Sequence, residues 1–182
     1  MALAVKLRLI ESLIRKDPEK ATAMAREVGA DAGDALENLR DLARGIYPPL
    51  LADKGLVVAL QGQARKAAIP TEVRVENVGR YAQDVETAVY FCTLEALNNV
   101  AKYSGATRTV VRLAQTNGEL TFEIIDDGAG FNPTETGYGT GLQGMADRLD
   151  ALGGTLEVRS APGAGTTITG RVVGAEQVVR SL

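Results

Sequence analysis

The sequence contains no histidine. That absence removes imidazole acid–base catalysis, Ser–His and Cys–His nucleophile pairs and most zinc sites together. A single cysteine, Cys92, precludes an intrachain disulfide, so a reducing, cytoplasmic setting is the expectation. Tryptophan is also missing and aromatics amount to 4%, too few for a stacking platform on single-stranded nucleic acid. No excess of positive charge makes up for this: the formal net charge is -3, which argues against direct nucleic-acid binding or attraction to an anionic membrane. No apolar run approaches the ~18 residues needed to span a bilayer, and no signal-peptide pattern opens the chain.

What is present fits a globular protein. Hydrophobic residues make up 45% and charged residues 24% of 182, enough for one substantial domain with a small appendage. Residues 3–16 place Leu3, Leu7, Ile10 and Ile14 at helical spacing. Asp17-Pro18-Glu19 then has the character of an N-cap, first-turn proline and first-turn acid. A second helix over 18–45 is expected, with Met24, Val28, Ala35, Leu39, Leu42 and Ile46 as its apolar stripe. The pair would form an antiparallel hairpin, too narrow and Ala-rich to bury much alone, and suited to packing against a second copy. Packing of both helices on the rest of the chain is the alternative.

Tyr47-Pro48-Pro49 interrupts the helical pattern, because a residue before proline is pushed out of the α region. The expected division is therefore a hairpin domain over 1–46 and a second domain over 47–182. Within the latter, helices are expected at 50–68, 82–103 and 140–152, and strands at 71–77, 107–115, 119–126, 154–160 and 165–173. Asn117-Gly118 joins two of these strands and is a strong hairpin signal. The expected fold class is α+β: a two-layer α/β sandwich whose mixed, mainly antiparallel sheet is covered on one face by helices. There are no internal repeats.

Three segments carry candidate chemistry. In TLEALNNVAKYSGA (93–106), Glu95 and Asn99 stand four residues apart on nearly one side of a helix. Val85, Val89, Cys92, Ala96 and Asn99 advance at helical spacing, so the polar pair lies on or beside the apolar stripe. Such groups need partners, and a hard cation such as Mg²⁺ or a neighbouring strand or loop would each serve. Next, Asp126-Asp127-Gly128-Ala129-Gly130-Phe131 follows an apolar strand; it is either a plain turn or a place where glycine lets backbone approach a ligand. Finally, Gly137–Met145 leads Gly-rich backbone into a helix and would present N–H groups to a phosphate, or else serve as a flexible loop. It lacks the Lys-Ser/Thr ending of a Walker A loop and the preceding strand of a Rossmann turn.

In order, E-x-x-x-N, D-D-G-x-G and G-x-G-L-x-G-M resemble the ATP-binding fold of gyrase, histidine kinases and related ATPases, the GHKL or Bergerat superfamily. EALNNVAKYSGA is similar to the asparagine box, DDGAGF to the first glycine box, and GTGLQGMADRLDALGGTLEVRSAPGAGT to the second. With ARGIYPPLLADKGLVVAL, they most resemble sensor histidine kinases that serve NarL-type response regulators, over residues 1–173.

The resemblance implies ATP and Mg²⁺ as cofactors. Asn99 would coordinate Mg²⁺, and Glu95 would orient the metal-bound water or assist proton transfer. Asp126 would bind the adenine amine, with Gly128 and Gly130 permitting its approach. Gly139, Thr140, Gly141, Leu142 and Gly144 would form the phosphate side, behind a mobile lid at 132–138. Lys102 would reach a phosphate and Thr166 would stand near the nucleotide. Tyr103 occupies a position where many relatives carry histidine. Kinases of this type phosphorylate a histidine on the first helix of a dimerising hairpin, as homodimers, and pass the phosphate to a response regulator. ALAVKLRLIESLIRK matches the portion just after that histidine, so the expected chain is a histidine kinase fragment starting downstream of its phosphoacceptor and unable to autophosphorylate. The parent would be membrane-anchored or soluble. The alternatives are an anti-sigma-factor Ser/Thr kinase, which the hairpin disfavours, and a non-catalytic ATP-sensing dimerisation module.

Overall fold

The computed structural model describes residues 2–26, 28–29, 48–133 and 139–173, with side chains from Arg8 onward. The chain divides into two compact units, Met1–Ile46 and Tyr47–Leu182. In the first, α1 spans Ala2–Leu13 and ends in a turn at 14–16. Ile14 therefore falls past the helix and is 57% exposed, outside the stripe expected of it. Asp17 Oδ1 accepts the Lys20 N–H at 3.0 Å, capping a second helix, α2, described over 18–26 and 28–29. Ala21 and Val28 are buried on it; Ala35, Leu39, Leu42 and Ile46 lie outside the described residues.

The second unit is a five-stranded sheet in the order β1-β2-β3-β5-β4. Its strands are β1 (Thr71–Glu76), β2 (Thr109–Thr116), β3 (Glu119–Asp126), β4 (Thr155–Ser160) and β5 (Thr166–Val173). β1 runs parallel to β2, and every other pairing is antiparallel. Asn117 (φ 53°) and Gly118 (φ 78°) make the two-residue β2–β3 turn, both left-handed as such a hairpin requires. β3 alternates strictly, with Leu120, Phe122, Ile124 and Asp126 buried on the helix side. On the open face the charged side chains pair across strands, as Arg112 with Glu123 at 3.6 Å and Arg171 with Glu157 at 3.6 Å. Burial of Phe122 against Gly170 of β5 leaves no room for a Cβ at that glycine.

Three helices cover the buried face: α3 (Pro49–Ala64), α4 (Gln83–Asn99) and α5 (Thr140–Asp150). Two departures from the sequence expectation matter. α3 is not one smooth helix, because Gly55 at φ 78°, ψ 178° kinks it. A Cβ there would meet Arg80 Cδ at 2.5 Å, so only glycine satisfies both backbone and neighbour. Arg80 uses that space to bind the Glu86 carboxylate at 2.8 and 3.3 Å and the Ala52 carbonyl at 3.1 Å. Glu86 is fully buried and also accepts the Tyr81 N–H at 3.1 Å. The second departure is that the helix expected over 82–103 is α-helical only as far as Asn99. Its last turn, Val100–Ser104, is π-helical and closes on Gly105 in the left-handed region.

Candidate functional site

The buried stripe of α4 runs through Val89, Cys92, Ala96 and Val100. Asn99 is therefore half-buried at the stripe's edge rather than on it, as is Glu95 one turn earlier. Cys92 lies against α5, its thiol 3.8 Å from the Met145 carbonyl; burial pushes its pKa up to about 12, which leaves it an inert packing residue.

Glu95 and Asn99 both face the start of α5. A Cβ on Gly141 would collide with Glu95 Oε1 and stand 3.6 Å from Asn99 Nδ2. The helix begins at Thr140, with Gly139 as its N-cap and no side-chain cap. The Gly141–Gly144 stretch is thus helical, within the helix expected over 140–152. Gly139, Thr140 and Gly144 are exposed, with nothing within 4 Å of a Cβ at either glycine. Leu142 is half-buried and packs on the core. Of the lid expected at 132–138, residues 134–138 lie outside the described ones.

Asp126 ends β3 and is 8% exposed. Burial raises its pKa above the ordinary carboxylate value, while the Gly128 N–H donates to its Oδ1 at 2.8 Å and pulls the other way. Thr166 is its ladder partner on β5. Asp127 has the opposite role. Its carboxylate accepts the Thr107 N–H (2.8 Å), the Thr107 hydroxyl (2.7 Å) and the Arg108 N–H (2.9 Å). Those bonds, led by the Thr107 hydroxyl, hold its pKa down to about 2.

The loop after Asp126 is fixed by the protein's own backbone. The Ala129 N–H donates to the Ser104 carbonyl at 2.7 Å, tying the loop to the π-helical turn that follows Asn99. A Cβ on Gly128 would press on that Ser104 carbonyl, and one on Gly130 (φ 61°) on the Ala161 carbonyl. Glycine is demanded at both positions before any ligand is considered. Lys102 sits on the exposed side of the π-helical turn beside Tyr103, which is 69% exposed.

Two residues escaped the sequence reading. Ser104 supplies the carbonyl just described. Ser160 Oγ accepts the Phe131 N–H at 2.9 Å, donates to the Gly165 carbonyl at 2.9 Å and lies 3.0 Å from Thr166 Oγ1. The only signal for Ser160 was its place just ahead of the Pro162–Gly165 turn.

Comparison with known proteins gives this arrangement a context. Residues 84–173 match the family described as histidine kinase-, DNA gyrase B- and HSP90-like ATPase. Residues 1–51 match a second, described as histidine kinase. The sensor histidine kinase MctS of Rhizobium johnstonii is 31% identical over 157 residues, covering 81% of this chain and 34% of MctS. The sensor histidine kinase YvfT of Bacillus subtilis is 27% identical over 168 residues, covering 92% of this chain and 44% of YvfT. The chain thus spans between a third and a half of the length of these curated relatives. Among solved structures, the Acinetobacter baumannii histidine kinase AdeS matches with a TM-score of 0.57 at 16% identity, covering 96% of this chain and 94% of that one. At that identity the likeness concerns the fold alone.

Proposed function

This chain belongs to the histidine kinase family, within the GHKL ATP-binding superfamily, and from that premise we propose that its second unit binds ATP with Mg²⁺ and donates the γ-phosphate to a histidine outside this chain. One observation carries the reading: Glu95 and Asn99 converge on Gly141 at an uncapped helix N-terminus. A backbone hydrogen bond from Ala129 ties the Asp126 loop to Ser104 in the turn that follows Asn99. An oxygen-donor pair, the first amides of a helix and a buried carboxylate acceptor suit a cation, phosphates and an amine-bearing base, in that order.

The donor set fits Mg²⁺ held jointly with substrate. Among the described residues no cluster of three or more His, Cys, Asp or Glu would hold a metal unaided. Magnesium is commonly held by one or two protein oxygens plus phosphate and water, a demand that Asn99 meets with Glu95 beside it. When bound, it would neutralise charge on the phosphates. Asn99 offers its amide oxygen to the metal, and Glu95 orients a water or holds a proton beside it. Asp126 accepts from the adenine amine, next to Thr166. The first amides of α5, around Thr140, Gly141 and Leu142, donate to phosphate oxygens with the favourable end of the helix dipole. Gly128, Gly130, Gly139 and Gly144 shape the approach, and Lys102 reaches a phosphate from the rim. Phosphoryl transfer asks chiefly for such positioning and charge neutralisation, with no nucleophile from this unit.

The partners that follow are a second copy in the parent kinase and a response regulator of the NarL output type. With no histidine, the chain cannot autophosphorylate on one. The test is to incubate it with γ-labelled ATP, Mg²⁺ and a separate polypeptide bearing the family's histidine–aspartate helix. Acid-labile label on that polypeptide is the expected result. Acid-stable label on serine or threonine would transfer the assignment to the anti-sigma type, and bound ATP without transfer would leave a binding module.

A further inference from the structure

The carboxyl group assigned to the base is aimed by its neighbours. Asp126 Oδ1 accepts the Gly128 N–H at 2.8 Å, so the direction of that N–H sets the rotation of the carboxyl group. The residue between them is Asp127, whose backbone angles aim the Gly128 amide. What fixes Asp127 therefore fixes the Asp126 side chain.

The β2–β3 ladder does not supply that restraint. Its last register pair is Thr109 with Asp126, and beyond it the Asp127 N–H meets the Arg108 carbonyl only at 3.4 Å, a long bond at a strand end. The Asp127 carboxylate takes over where the ladder stops, accepting the Thr107 N–H at 2.8 Å, the Thr107 hydroxyl at 2.7 Å and the Arg108 N–H at 2.9 Å. Asp127 and Thr107 are both exposed, so this clasp buries no apolar surface and its effect is on geometry. The segment it grips is itself held: Ser104 Oγ donates to the Val100 carbonyl at 2.8 Å and accepts the Ala106 N–H at 3.0 Å, closing the π-helical turn after Asn99. Ser104 also takes the Ala129 N–H on its carbonyl, so the loop is gripped on both sides of Gly128. A π-helical turn is uncommon and tends to occur at functional sites. Here it joins the end of α4, which carries Asn99, to the loop that carries Asp126.

We propose that Asp127 is a positioning residue for base recognition: clasped to Thr107 and Arg108, it holds the Asp126 carboxyl group in the orientation that accepts from the exocyclic amine of adenine, in register with Asn99. The role deepens the nucleotide reading of this site and rests on it. Asp127 acts through the Gly128 amide and need not touch the nucleotide.

The probes are ATP and inosine triphosphate, which has a carbonyl in place of the exocyclic amine. Each is titrated calorimetrically with Mg²⁺ into the full chain as wild type, Asp127→Ala, Asp127→Asn and Thr107→Val. Wild type should prefer ATP by at least roughly tenfold, as expected for one hydrogen bond to a charged acceptor. Asp127→Ala should cut the preference to within about threefold, chiefly by weakening ATP, and Asp127→Asn, which keeps an acceptor oxygen for the N–H donors, should recover most of it. Thr107→Val, at an exposed position, removes only the hydroxyl bond and should lose part of the preference. A role in stability alone would weaken both nucleotides alike, so a wild-type ratio in Asp127→Ala and Thr107→Val would overturn the proposal. Amide hydrogen exchange without nucleotide separates the clasp from the site assignment. Gly128 and Ala129 should exchange at least roughly tenfold faster in Asp127→Ala while Phe122 and Ile124 keep their protection. Unchanged exchange at Gly128 and Ala129 would overturn the proposal even if ATP binds. Faster exchange there, but no preference for ATP in wild type, would overturn the Asp126 assignment and the proposal with it.

Discussion

Glu95 and Gly141 meet across the groove between α4 and α5, so closely that the carboxylate takes the space a Cβ would need. Gly141→Ala must therefore displace either the carboxylate or the helix start. Overpacking of this kind costs about 1–3 kcal/mol, partly offset by the ~1 kcal/mol that alanine gains over glycine in a helix. The expected outcome is little change in melting temperature but roughly tenfold weaker nucleotide binding by calorimetric titration. Adding Glu95→Ala should relieve the clash, so the two substitutions should be non-additive.

Asp126 and Asp127 are adjacent but titrate in opposite directions. Asp126 has a raised folded pKa, so the stability it contributes is present below its unfolded value of 3.8 and lost as pH rises through the folded pKa. Asp126→Asn keeps an acceptor for Gly128 while removing a penalised charge. It should raise the melting temperature at neutral pH even as it weakens nucleotide binding.

Asp127 has its pKa lowered from 3.8 to about 2, so its contribution is present above 3.8 and lost as pH falls toward about 2. Acid melts of wild type and Asp127→Asn should differ at neutral pH and converge over that window. Persistence of the difference at the acid end would contradict the bonds to Thr107 and Arg108.

Removing Arg80 would take away its 2.8 Å ion pair with the buried Glu86 carboxylate and would unclamp the Gly55 kink. Arg80→Ala should cost about 3–5 kcal/mol in urea unfolding, the range for breaking a buried pair. A loss below 1 kcal/mol would mean that the clamp contributes little.

The sheet and its hairpin were legible because their signals are local. Alternation over Leu120–Ile124 and the Asn117-Gly118 turn need no distant partner. The three site segments were visible as pattern, and the fold brings Glu95 and Asn99 to Gly141. The Gly55 kink was hidden because its cause, Arg80, lies 25 residues away, and a lone glycine in a helical pattern does not reveal which contact demands it. Gly141 and Gly144 are poor helix formers, yet the helix expected over 140–152 holds because Leu142, Met145 and Leu149 anchor it on the core.

The central claim, that Asn99 and Asp126 hold a nucleotide with its metal, is tested most directly by titrating ATP with and without Mg²⁺ into wild type, Asn99→Asp and Asp126→Asn. The account predicts at least roughly tenfold weaker binding in each variant, about 1.4 kcal/mol, with the Mg²⁺ dependence lost or altered only in Asn99→Asp. Unchanged Mg²⁺-dependent affinity in both variants would contradict it.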